Sequence, residues 1–113
     1  MADHITISPA TASWVVRAGG AVLGESTNAL ILHEGDRDPV VYFPRDDIAM
    51  TFLDATDHST NCPFKGTASY FSIVNRSATL ENAVWSYETP KDDVARIAGY
   101  LAFDTSVVTV EEV

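Results

Sequence analysis

The densest reactive chemistry in this chain lies in Asp57-His58-Ser59-Thr60-Asn61-Cys62-Pro63-Phe64-Lys65-Gly66. This stretch holds the single cysteine and one of the three histidines. Cys62 is a candidate nucleophile or redox centre, because a thiol beside an imidazole or ammonium group ionises more readily. His58 would serve as its base and Lys65 as an electrostatic stabiliser. With no second cysteine, a sulfenic acid there would need an outside thiol to resolve it. The competing reading is a buried structural cysteine ahead of a turn-setting proline. Lys65 can hold an anion or carboxylate as a point charge, or it can be an exposed turn lysine. Asp57 is the second candidate polar anchor. Pro63 and Gly66 should fix the backbone of this loop, one by setting φ and the other by permitting positive φ.

A second group is aromatic. Trp85 and Tyr87 alternate along a strand-like segment and so share a face. With Tyr70 they could wall a ligand cleft, although aromatics on strands more often pack a core. Asn82 sits mid-strand beside Glu81 and needs either solvent or a partner. Metal ligands are few. His58 and Cys62 could supply two, whereas a closed zinc site needs four, and His4 and His33 are distant in sequence. Asp46-Asp47 follows a proline and reads as a turn rather than a metal clamp. No metal and no cofactor are expected.

The elements that must position these groups read mostly as strands. Residues 4–7, 13–18, 21–25, 29–33, 40–43, 48–53, 68–74, 79–87 and 107–110 are rich in β-formers or continuous apolar runs. Gly19-Gly20 is a two-residue hairpin signal. Glu34-Gly35-Asp36-Arg37-Asp38-Pro39 is a turn cluster. The polar middle of 79–87 suggests a bulge. One helix should interrupt this rhythm, from Thr89 to about Phe103. Thr89 would cap it, Pro90 suits its first position, and Val94, Ile97, Ala98 and Leu101 form one apolar stripe. Turn signals every eight to twelve residues argue a sandwich or barrel-like all-β fold.

At 113 residues the chain should be a single domain, 1–113, with enough length for a core. Its formal net charge is −9, with seven Lys and Arg against sixteen acids. That balance argues against nucleic acid and against an anionic membrane surface, since neither basic footprint is present. No apolar run reaches membrane-spanning length, and no basic-then-apolar leader opens the chain. A lone cysteine fits a reducing compartment, so a cytoplasmic location is expected.

Four segments carry a family resemblance. They are Val16-Arg17-Ala18-Gly19-Gly20 with Leu23-Gly24-Glu25-Ser26, Tyr42-Phe43-Pro44-Arg45-Asp46-Asp47, the Asp57–Gly66 stretch, and Asn82-Ala83-Val84-Trp85-Ser86-Tyr87. In this order and spacing the chain resembles domain-of-unknown-function family 427 over roughly residues 13 to 103. Phe64 departs from the family's Cys-Pro-Tyr-Lys-Gly run and removes a hydroxyl. The resemblance implies a β-tent of two antiparallel sheets, which with the helix read from Thr89 onward makes a mainly β domain with one C-terminal α-helix. The family also carries a nucleotidyltransferase label, but no phosphate-cradling glycine loop is visible here. Three functions follow as expectations. The first is binding of a small polar or carbonyl-bearing ligand between sheets, with Asp57, Lys65, Tyr70, Trp85 and Tyr87 as its contacts. The second is a small enzyme using Cys62 and His58. The third is a protein-interaction module. An uncovered sheet edge would also allow a homodimer.

Overall fold

A computed structural model describes residues 4–113. It is mainly β, as expected, and its strands are β1 (Ile5–Pro9), β2 (Trp14–Ala18), β3 (Ala21–Ser26), β4 (Leu30–Glu34), β5 (Val40–Tyr42), β6 (Leu53–Cys62), β7 (Gly66–Val74), β8 (Thr79–Ser86), β9 (Ala102–Phe103) and β10 (Thr109–Glu112). They form three antiparallel sheets where two were expected, ordered β1-β4-β5, β10-β2-β3 and β6-β7-β8-β9. After the β2–β3 hairpin the chain leaves that sheet, and β4 pairs with β1 and β5 instead. No helix among the described residues is long and apolar enough to cross a membrane.

Two clusters of buried side chains fill the space between the sheets. One gathers Val16, Phe43, Ile73, Val84, Leu101 and Phe103. The other gathers Leu32, Tyr42, Ala68, Tyr87, Val94 and Ile97, with Cys62, Tyr70 and Trp85 packed against it. Alternation along β4 and β5 divides the work. Leu30, Leu32 and Tyr42 face the second cluster, while Val41 packs against the first.

The expected C-terminal helix does not form. A short 3-10 segment runs Asp92–Ile97, kinked at Val94, with no side-chain cap and Lys91 rather than Thr89 before it. Gly99 then adopts φ +75, left-handed backbone that ends any helical continuation. Its N–H donates to the Tyr87 carbonyl, and Leu101 exchanges backbone hydrogen bonds with Phe43 instead of continuing a helix. The apolar stripe was right in part: Val94, Ile97 and Leu101 are fully buried, but Ala98 is exposed. Apolar spacing marked the buried positions, and the backbone reached them through a turn and a return strand.

Two further expectations change. The segment read as a strand over 48–53 follows one 3-10 turn, Arg45–Asp47, and is mostly a second, Met50–Phe52, before β6 starts at Leu53. Ile48 is still buried in the first cluster, but its only strand-type pairing is an isolated bridge to Gly24. The stretch from Asp57 to Gly66, read as a loop, is the second half of β6 followed by a tight turn into β7. β6 lies at a sheet edge, and most of its side chains are exposed on both faces. An edge strand held by its backbone ladder shows no apolar alternation, so its period was invisible. The expected bulge in β8 is present. The register shifts between Phe71 and Ile73, and Asn82 takes positive φ there.

Candidate functional site

The site begins at the β6–β7 turn. Gly66 takes φ +113, which brings the chain back sharply after Pro63-Phe64-Lys65. The following segment ties the turn down. Lys91 Nζ donates to the Pro63 carbonyl at 2.6 Å, and the Lys91 N–H donates to the Lys65 carbonyl at 3.0 Å. The Phe64 ring packs edge-on against the His4 ring at 4.5 Å between centroids. A turn anchored on both sides directs the Lys65 side chain inward, and the residue is only 8% exposed.

Inside, Lys65 Nζ meets Glu34 Oε1 at 2.5 Å, with both side chains about nine-tenths buried. Lys65 does hold a carboxylate, then, but one that the chain itself supplies from the end of β4. The bond from Lys65 is the main reason that the Glu34 carboxyl sits below the usual carboxylate range. Its other oxygen lies 3.6 Å from His4 Nε2, beyond hydrogen-bond reach.

Around the pair lies a cavity of about 240 Å³, lined by Leu32, Glu34, Arg37, Asp38, Val40, Tyr42, Lys65, Tyr70, Trp85 and Tyr87. Lys65, Tyr70, Trp85 and Tyr87 therefore come together as the sequence led one to expect. Tyr70 is paired with Trp85 across the β7–β8 ladder, and their rings lie 6.5 Å apart. Lys65 Nζ stands 6.0 Å from the Tyr87 ring centroid. Trp85 Nε1–H donates to the Tyr42 hydroxyl at 3.4 Å. Tyr42 therefore keeps its own O–H free to donate. The Tyr87 hydroxyl makes no hydrogen bond among the described residues, and the residue is 5% exposed. Burial pushes the Tyr42 phenol up to about 12. Burial also raises Tyr87, and the neighbouring Tyr42 adds to the effect. Both stay protonated donors at any physiological pH.

The other expected site residues lie elsewhere. Asp57 is exposed in the β6 bulge and does not line the cavity. A turn-like reading placed it beside Lys65, whereas the extended strand carries it away. His58 is exposed and stacks its ring edge on the outside of Tyr70 at 4.6 Å. The same strand separates His58 from Cys62: four residues at about 3.3 Å each put them roughly 13 Å apart. Spacing that would bring two side chains together on a helix keeps them apart here, so His58 does not stand as base to Cys62. Cys62 ends β6 opposite Gly66 and is half-buried against the second cluster, close to the Tyr42 and Tyr87 phenols. Asp47, in its 3-10 turn, accepts a bond at 2.6 Å from Ser26 Oγ at the end of β3. Among the described residues no three His, Cys, Asp or Glu side chains gather as a metal site.

Sequence reading missed Glu34 and Tyr42, the two partners that complete the cavity. Glu34 stood in a turn cluster, and Tyr42 in an apolar strand. Nothing local signals a lysine partner 31 residues away. Asn82 finds the partner it needed, since its Oδ1 accepts from Thr56 Oγ1 at 2.7 Å and its N–H donates to Ser72 Oγ at 3.1 Å.

No curated protein matches the chain. The family model described as Domain of unknown function (DUF427) matches residues 6–113, nearly all of the described structure, and the chain belongs to that family.

Proposed function

We propose that the cavity around Lys65 and Glu34 binds a small, uncharged ligand carrying a carbonyl or amide group. The buried ion pair facing an aromatic-walled cavity carries this reading. Such a pair loses hydration and is weak evidence for stability, so its placement in a cleft fits recognition better than scaffolding. The chemistry is complementary to an amide. The Tyr42 and Tyr87 hydroxyls donate toward an acceptor, and the Glu34 oxygen that Lys65 does not bond accepts from an N–H. Leu32, Val40 and the aromatic rings supply the apolar walls.

Charge argues against an anion. Arg37 and Lys65 are matched by Glu34 and Asp38 in the lining, and Lys65 already holds Glu34. A carboxylate ligand would lose hydration against a lining whose formal charges cancel and whose Lys65 is already engaged.

The test is a titration of the protein with N-methylacetamide and, separately, with acetate, followed in 1H–15N spectra. The amide should shift the Trp85 indole N–H and the backbone of β4, β5 and the Lys65 turn. Acetate should leave them unmoved. An amide response elsewhere on the surface, or a stronger response to acetate, would overturn the reading.

A further inference from the structure

A second cavity of about 350 Å³ abuts the first, and Asp38, Val40 and Trp85 line both. Its character is opposite. Trp14, Ile31, Pro39, Val41, Phe103 and Val110 provide its walls, with Asp104 and Thr105 beside Asp38 as its polar members. The two cavities lie on opposite faces of the β4–β5 pair, since Leu32 and Tyr42 face the first and Ile31 and Val41 the second. The Trp85 indole and the Asp38–Val40 segment stand where they meet. Trp85 is only half-buried, tethered by one long hydrogen bond to Tyr42.

We infer that the two cavities form one bipartite site for a small amphipathic molecule, with its uncharged polar head beside Tyr87 and Glu34 and its apolar body across Trp85 against Trp14, Val41 and Val110. This rests on the ligand-binding reading above and deepens it. Each cavity alone is near or below the lower bound of ordinary ligand sites, about 300 Å³, while the pair falls well within their range. Polar groups sit at one end and apolar walls at the other, the division an amphipathic ligand needs. The head is held by directional bonds. The body gains by leaving water, in proportion to its apolar area.

The chain's two tryptophans make this measurable. Trp85 borders both cavities and Trp14 only the apolar one of the pair. Propanamide and hexanamide share a head and differ in body length. Propanamide should shift the Trp85 indole N–H and leave Trp14 in place; hexanamide should shift both. Each methylene that enters the apolar cavity should tighten binding by about fourfold, so hexanamide should bind at least about tenfold tighter. Val110→Phe, which fills the apolar cavity, should bring hexanamide down to the affinity of propanamide and leave propanamide unchanged.

The outcomes separate the two claims. If propanamide binds at Trp85 but hexanamide gains nothing, the bipartite site is wrong and the polar cavity stands. If hexanamide gains affinity without moving Trp14, or keeps its gain in Val110→Phe, the body lies elsewhere and the inference fails. If neither amide moves Trp85, both readings fall together. The wild-type chain-length comparison decides the matter even where Val110→Phe does not fold.

Discussion

Lys65 Nζ and Glu34 Oε1, from a hairpin turn and the end of a strand in a different sheet, meet 2.5 Å apart in the wall of a cavity. That contact joins the β6–β9 sheet to the β1-β4-β5 sheet at the place where the ligand would sit. It also makes the site sensitive to single substitutions in ways that can be measured.

Removing one partner should cost more than removing both. Lys65→Met leaves the Glu34 carboxylate buried and should lower stability by about 3 kcal/mol, the lower end of the range for broken buried pairs. Arg37 and His4 remain near it and soften the loss. Glu34→Gln combined with Lys65→Met should recover most of that loss. Denaturant melts of the wild type, the single variant and the double variant check this. A double variant no more stable than Lys65→Met would contradict it.

Acid should weaken the fold through Glu34. Its folded-state carboxyl lies below the usual carboxylate range, so the pair's contribution is complete above that range. It is lost as pH falls through the lowered folded value. Glu34→Gln should therefore flatten the acid limb of the stability profile, seen as a smaller difference between melts at pH 6 and at roughly pH 3.

Base should act through the phenols, with the opposite sign. Tyr42 and Tyr87 hold their protons more tightly when folded than a free phenol, which titrates at about 10. Their contribution is full below pH 10 and lost as pH rises toward about 12 for Tyr42. Tyr87→Phe should remove its share of this base-induced loss while weakening amide binding at neutral pH. A base limb unchanged in Tyr87→Phe would contradict a Tyr87 phenol raised by burial.

Gly99 ends the 3-10 segment in left-handed backbone with open space around its would-be side chain. Gly99→Ala should cost about 1–2 kcal/mol through backbone strain alone. A neutral result would mean that the turn relaxes, and with it the return of Leu101 to Phe43.

Cys62 packs beside the phenols, four strand residues along from His58. Cys62→Ser should leave amide affinity within about twofold of wild type and act mainly on stability, through lost apolar packing at a half-buried position. An amide affinity that collapses at full stability would restore a direct role for the thiol.

Much of this architecture was legible in the residues. Apolar runs and turn signals located most strands, and alternation put Trp85 and Tyr87 on one face. The polar middle of β8 announced its bulge at Asn82. What escaped depended on distant partners. β6 has few buried side chains, because an edge strand draws its order from backbone bonds to β7. The 92–97 segment has helical spacing at Val94 and Ile97, but Gly99 and the Phe43–Leu101 exchange of hydrogen bonds override it. Lys65 was recognisable as a group that could hold a carboxylate. Its partner Glu34, standing among turn residues, was not.

The central claim is that the cavity between Tyr87 and the Lys65–Glu34 pair takes an uncharged amide. Crystals soaked in N-methylacetamide test it most directly. The account predicts electron density for the amide in that cavity, its oxygen within hydrogen-bond distance of the Tyr87 hydroxyl and its N–H toward Glu34. Density for the amide only at other surfaces, with ordered water alone beside Tyr87, would contradict it.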